Sequence, residues 1–354
     1  MRIESRVTMK MFTQQLIVYQ KNKSMMGSFN QYCGIDVGKS ALDYCLRSAK
    51  KPKERIQNRL TNELSSISEV FSDSKFDQTL FVVEYTGNYS AKILYQLSQM
   101  KRSVCVVSPL QSKSFMSALG LTNKNDKQAA HSLSLMGQHM SMRLYKAPSE
   151  EMQKRKQLFA TLKALEKQQR MLENQLHALA QLPIQEPKAK QALELVLESV
   201  TTQIVPLKEQ LYQPSQDEQF NEKKKLACSV KGIGEQTAEA LLLLTSGLAD
   251  FEDAGKLSKF LGLTPHSHFS GSSIRRTGGI TKFGSQRLRA LLYMCANSAI
   301  RYNKPCKELF ERLRAKGKPY KVAKVAVMHK LVKQVFACVT TKTEFDNDFE
   351  AKRK

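Results

Sequence analysis

The run Tyr32-Cys33-Gly34-Ile35-Asp36-Val37-Gly38-Lys39-Ser40, followed by Ala41-Leu42-Asp43-Tyr44-Cys45-Leu46, leaves the start of this chain few folds to choose from. An apolar stretch of strand length breaks at a glycine and resumes in alternation, the pattern of two strands joined by a hairpin. Asp36 is the anomaly. A carboxylate within a buried strand costs several kcal/mol unless something neutralises it, and a divalent cation shared with other carboxylates does so. A hairpin-turn aspartate at the strand edge is the competing reading.

Two later stretches favour the first reading. Leu80-Phe81-Val82-Val83-Glu84-Tyr85-Thr86-Gly87-Asn88 is again a β-rich run that ends in an acid and a turn, so Glu84 repeats the placement of Asp36. Ser103-Val104-Cys105-Val106-Val107 is a further buried strand, which leads through a helix to Asn123-Lys124-Asn125-Asp126-Lys127. Acids at two strand ends and a helix start can converge on one point. Asp126 also reads as a plain helix N-cap.

Composition points to the partner. The net charge of +24 and pI near 9.7 come from basic residues spread along the whole chain. Such a charge favours a polyanion, since each phosphate contact releases counterions; nucleic acid is the expected partner and an acidic membrane surface the weaker one. Seven cysteines at irregular spacing, mostly inside apolar runs, read as reduced thiols of a cytoplasmic protein, and with no C-x-x-C pair a zinc site is not expected. No apolar run approaches the length that crosses a bilayer.

The organisation along the chain follows from shifts in pattern. Residues 1–31 form a basic extension without an apolar leader core, and Met25 or Met26 could equally be the true start. Residues 32–148 alternate strands and helices, with Arg55 to Leu60 a third strand and Asn62 to Phe71 a helix. Residues 149–225 carry Leu158, Leu162, Leu165, Met171, Leu172, Leu176 and Leu179 at helical spacing. A break at Pro183 and Pro187 precedes a second amphipathic stretch from Gln191 to Leu211, so a helical hairpin is expected, either a structural spacer or a coiled-coil dimerisation arm. Residues 226–340 are mainly helical, and 341–354 read as a frayed polar tail.

The domain over 226–340 opens with Val230-Lys231-Gly232-Ile233-Gly234-Glu235, a G-x-G turn running into a helix. Such a turn presents free backbone N–H groups and resembles the helix-hairpin-helix motif that holds a DNA backbone; a tight interhelical turn is the alternative. Next comes Leu261-Gly262-Leu263-Thr264-Pro265-His266-Ser267-His268-Phe269-Ser270-Gly271-Ser272-Ser273, which reads as a loop. It is followed by the cations Arg275, Arg276, Lys282, Arg287 and Arg289, then by an apolar helix from Leu288 to Ile300 and a basic amphipathic helix pair. Arg287 and Arg289 fall at a helix start, where the dipole disfavours cations unless an anion is present. His266 and His268 read as polar loop residues, and Tyr85, Tyr89 and Phe283 as core.

In combination, G-I-D-V-G-K-S, V-V-E-Y-T-G-N-Y, K-N-D-K and L-G-L-T-P…S-G…I-T-K-F-G…L-R resemble the DEDD transposases of insertion-sequence family one-ten, which also includes the Piv-type DNA invertases. The likeness runs from about Tyr32 to Val339. It implies an α/β RNase H-like (RuvC-like) N-terminal domain, a helical coiled-coil hairpin and a mainly α C-terminal domain. It further implies Asp36, Glu84 and Asp126 as ligands of magnesium or manganese, and Ser270 as nucleophile, with Ser272 and Ser273 as substitutes. DNA contacts are expected from Lys124, Lys127, Gly232, Gly234, Arg275, Arg276, Lys282, Arg287 and Arg289. An oligomer on DNA and, for some members, a structured guide RNA are also implied. One departure stands out: the family's second acid on the Asp126 helix is replaced by Ala129, for which Asn125 or His131 could partly compensate. A metal-dependent junction nuclease and a nucleic-acid-binding remnant are the rival readings.

Overall fold

The structure, a computed structural model, describes residues 29–51, 54–121, 125–270, 274–281 and 284–348, and the side chains of 266–278 lie outside that description. Lys124, Ser272, Ser273, Lys282 and Phe283 are therefore outside the described residues, as are the side chains of His266, His268, Ser270, Arg275 and Arg276. The chain forms two compact units, one up to Ala147 and one from Pro148 onward. Among the described residues no helix is long and apolar enough to cross a membrane.

In the first unit β1 (Gln31–Val37), β2 (Ala41–Ser48) and β3 (Arg55–Thr61) form an antiparallel meander; β4 (Thr79–Glu84) lies parallel to β1 and β5 (Ser103–Val107) parallel to β4. The order β3-β2-β1-β4-β5 is the mixed sheet that the resemblance implies. The period of two sorts each strand's residues between two faces. Cys33, Ile35, Leu42, Tyr44, Phe81 and Val83 pack with α1 (Leu64–Phe71) and α2 (Ala91–Gln99), where Phe71 meets Tyr44, Phe76 and Phe81 edge to face.

The opposite face carries a different helix. After α3 (Pro109–Ala118) comes α4 (Asp126–His139), whose Leu133 and Met136 pack with Val82 and Val107. Gly34 makes this approach possible: a Cβ there would collide with the Ala130 carbonyl and the Ser134 amide.

The second unit begins with the helical hairpin α5 (Glu150–Ala180) and α6 (Pro187–Tyr212), the latter starting at Pro187 and not at the expected Gln191. Ser149 caps α5 by accepting from Met152 N, and Pro187 occupies the first turn of α6, where its missing N–H costs nothing. Phe159, Leu162, Ile204 and Leu211 at the base of the hairpin share one core with α7 (Glu218–Ser229), α8 (Glu235–Leu244), α9 (Ala254–Phe260), α10 (Gln286–Tyr302) and α12 (Tyr320–Thr341). α11 (Lys304–Ala315) adds Cys306 to that core.

Two expectations change here. The serine-glycine stretch, read as a loop, is instead a two-stranded hairpin of β6 (Pro265–Ser270) and β7 (Ile274–Ile280). The segment after Thr341, expected to fray, docks as far as 348. Phe345 packs on the core while its N–H donates to Ser229 Oγ at 2.9 Å, and Asn347 accepts from Lys304 N, also at 2.9 Å. One aromatic side chain and a supplementary cap for α11 outweigh the polar composition around them.

Candidate active site

Strand parity decides where each acid goes. With Gly34 under α4, Asp36 lies two residues on along the same face. The antiparallel register sets Asp36 directly across from Asp43, so Asp43 shares that face. The parallel pairing of Gly34 with Val82 and Ile35 with Val83 brings Glu84, the last residue of β4, to the strand position beside Asp36. Glu84 is only 6 % exposed, and its carboxylate makes no hydrogen bond or ion pair among the described residues.

Asp126 joins them from above. The N-cap of α4 is Asn125, whose side chain accepts from Gln128 N at 2.8 Å, so the capping role open to Asp126 is already filled. Asp126 is the first helical residue, where a carboxylate is favoured by the dipole. Ala129, three residues later, is buried against the sheet. Both expected substitutes already have a partner: Asn125 caps the helix, and His131 Nδ1 lies 3.7 Å from Cys45 Sγ. Burial first, then Arg47 and Arg55, hold the His131 pKa below its ordinary value.

Asp43 is the residue that sequence reasoning missed. It is buried, and burial raises its carboxyl above the ordinary range; Arg59, at 3.6 Å, lowers it, Asp126 raises it and Lys127 lowers it. Lys127 lines, with Asp43, Gln57 and Arg59, a hollow of about 290 Å³ beside the acids. The alternation in Leu42-Asp43-Tyr44 was the available signal, since it sets Asp43 opposite Asp36 once the hairpin closes. The acids share one face and one end of the sheet, but among the described residues no three His, Cys, Asp or Glu side chains sit close enough to hold one ion.

The raised Asp43 pKa has a testable sign. The folded state favours the proton, so the stability present below the ordinary carboxylate pKa is lost as pH rises through the raised value. Asp43→Asn is expected to raise the melting temperature by a few degrees at neutral pH and to have no such benefit below about pH 3.5. Its exposed Arg59 partner contributes too little to reverse this. Thermal melts of both proteins across pH check it; equal melting temperatures at neutral pH count against the buried ionised carboxylate.

In the second unit Ser270 ends β6 and pairs with Ile274; His268 pairs with Arg276 and Phe269 with Arg275. The backbone therefore brings Ser270 and Arg276 to alternate positions on one face of the ribbon and assigns Arg275 to the other. Gly232 has φ +106°, and a Cβ there would stand 2.9 Å from Ala299 Cβ, so the first glycine of G-I-G is required by backbone and packing. Gly234 caps α8 without any side-chain hydrogen bond. Arg287 and Arg289, expected at phosphate, have contacts within the unit as well. The Arg287 guanidinium lies 5.5 Å from the centre of the Phe159 ring, and Arg289 Nη1 donates to the carbonyls of Leu261 and Gly284, both at 3.2 Å. Cations at this helix start are offset by a ring face and two carbonyls.

Residues 33–182 match the transposase family model DEDD_Tnp_IS110, and residues 224–311 match the transposase IS116/IS110/IS902 family. Over 331 residues the chain is 28 % identical to the pilin gene-inverting protein of Moraxella bovis, covering 89 % of this chain and 97 % of that one. The pilin gene-inverting protein of Moraxella lacunata matches with the same identity and coverage. A stretch of 123 residues is 24 % identical to the uncharacterized 43.6 kDa protein of insertion element IS110 from Streptomyces coelicolor, covering 35 % of this chain and 30 % of that protein. Among solved structures, RuvC of T. thermophilus in complex with a Holliday junction substrate is 15 % identical with a TM-score of 0.25, covering 32 % of this chain and 99 % of that one. The chain thus carries, in order along it, the two domains of the IS110 family of transposases.

Proposed function

We propose that this protein is a site-specific DNA recombinase, a transposase or invertase, that breaks and rejoins DNA through Ser270 with the help of a divalent metal. The observation that carries the metal half is Glu84: a nearly buried carboxylate with no partner among the described residues, beside Asp36 and on the face that Asp126 overlooks. Such a group is costly unless a cation neutralises it, and an all-oxygen donor set fits magnesium or manganese. Asp36, Glu84 and Asp126 would hold it. When bound, it would supply charge neutralisation at a phosphodiester.

The chain's own part is covalent. Ser270 Oγ loses its proton and forms an ester bond to a DNA phosphorus, while one P–O bond of the backbone breaks and its oxygen leaves protonated. The ester retains the energy of the broken link, so rejoining needs no other source. Arg275, Arg276 and Lys282 offset the charge that develops on the phosphate. Gly234, Lys124 and Lys127 add backbone contacts. The reading extends to an oligomer on DNA, supported by the tip of the helical hairpin, where Leu182, Ile184, Leu195 and Val196 stand exposed. It also extends to a structured guide RNA, which rests on the resemblance alone.

A denaturing gel for protein–DNA adducts tests the proposal, with donor-end or junction DNA, magnesium and any flanking transcript. The wild type is expected to give an adduct that Ser270→Ala lacks. Cleaved DNA with no adduct in any form would replace this reading by a hydrolytic nuclease. Ala129 lies buried on the acid face and favours a second reading, a catalytically impaired copy; an adduct seen only with Ala129→Asp would establish that one.

A further inference from the structure

Along α10, Met294, Asn297, Ser298 and Arg301 follow one another at helical spacing and floor an open groove of about 570 Å³, closed at one end by Tyr302 and Tyr320. Three of its lining residues are largely bare: Met294 is 64 % exposed, Tyr302 66 % and Tyr320 49 %. Large rings are normally buried for the area they remove from water, so two in one groove need an occupant.

Both rings stand on rigid supports. Tyr302 ends α10 and is followed by Asn303, fully buried, which donates to Lys231 O at 3.1 Å and Gln334 Oε1 at 2.9 Å and accepts from Cys306 N at 3.2 Å. Tyr320 meets Phe310 edge-on at 5.4 Å, and one turn along α12 the buried Lys324 sets its Nζ 6.0 Å from the Tyr320 ring and 3.4 Å from that of Tyr293. Each ring lines the groove and stays about half exposed or more. No acid lines it, and Arg301 is the one charged group among its lining residues.

We propose that this groove holds an unpaired DNA strand, with bases stacked on Tyr302 and Tyr320 and a phosphate on Arg301. Every base has a π-face, so aromatic platforms beside a cation bind single strands with little regard to sequence, whereas a duplex hides those faces. Asn297 and Ser298 supply donors and acceptors for base edges. From Met294 to Arg301 the helix rises roughly 10 Å, enough for two to three nucleotides. A recombinase that opens its DNA around a break exposes such a strand, so the inference rests on the proposed function and names a partner for it.

The test titrates the full-length protein with a fluorescein-labelled 12-nucleotide thymidine oligomer and with a duplex of equal length, read by anisotropy at two salt concentrations. Tyr302→Ala and Tyr320→Ala are each expected to weaken single-strand binding about 10-fold and to leave duplex binding within two-fold. Tyr302→Phe and Tyr320→Phe keep the platform and are expected to bind as wild type. Arg301→Gln is expected to reduce the salt slope by about one. Equal losses for single strand and duplex, no loss with Ala, or Phe variants as weak as Ala variants would each overturn the proposal. Tighter binding of a uridine oligomer with the same tyrosine dependence would also overturn it, by making RNA the occupant. Melting temperatures of all variants separate loss of a platform from loss of fold. None of these readouts uses the Ser270 adduct, so failure of the chemistry and failure of the groove are distinguishable.

Discussion

Glu84→Gln is expected to cut DNA cleavage and adduct formation by about 10³-fold or more while leaving the fold as stable as before. The residue ends a fully buried strand, its carboxylate has no partner among the described residues, and nothing in the core depends on its charge. If a divalent ion is held there, loss of one anionic ligand removes several kcal/mol of stabilisation at the phosphate, which is three or more orders of magnitude in rate. Gln keeps the volume, so packing against α4 is undisturbed. The folded protein also no longer carries a nearly buried anion, and its melting temperature without metal should hold or rise. Manganese should raise the melting temperature of the wild type and not of the variant, a readout independent of turnover. Full activity in Glu84→Gln would make the residue structural and remove the support for the metal.

Glu239→Ala is expected to destabilise the second unit by about 3–5 kcal/mol without touching the chemistry. Glu239 is fully buried in α8; its Oε1 accepts from Arg155 of α5 at 2.8 Å, and its Oε2 lies 3.1 Å from Lys224 of α7. Arg155, also buried, donates in addition to the carbonyls of Leu211 and Gln213 at the end of α6. One carboxylate thus ties the base of the helical hairpin to the two helices beneath it. Removing it leaves the buried Arg155 with two carbonyls and the more distant Glu151, and Lys224 with Glu235 at 3.9 Å, so a buried cation loses its closest counter-charge. Arg155→Met with Glu239→Leu should recover part of it, because the guanidinium is removed with its carboxylate while Lys224 and the carbonyls of Leu211 and Gln213 still lose a partner. Urea unfolding of the three proteins at neutral pH decides: a loss under about 1 kcal/mol in Glu239→Ala would mean that water or relaxation screens the pair.

This ion pair was not legible in the sequence. Arg155 and Glu239 sit on helices separated by a whole hairpin, and each alone reads as a solvated charge on an amphipathic face. The contacts of Arg287 and Arg289 were hidden for the same reason: a cation at a helix start suggests an anion, and the sequence does not show what else the fold offers it. Here it offers the Phe159 ring and the carbonyls of Leu261 and Gly284. The β6–β7 ribbon was hidden because serine and glycine are weak strand formers, and its pairing rests on backbone register and not on side-chain pattern.

What the sequence by itself determined is local and periodic. Alternation fixed the strands bearing Asp36 and Glu84, the 3.6-residue period fixed the helical hairpin, and the order of short motifs fixed the family. Those signals survive in one dimension because each depends on neighbours within a few positions. Tertiary structure alone decided which acids share a face, that Asp43 joins them, that Asn125 and not Asp126 caps α4, and that Ala129 lies buried where a fourth acid was expected. Those facts depend on register between strands and on the close approach of α4 over Gly34, distances that a linear spacing does not encode.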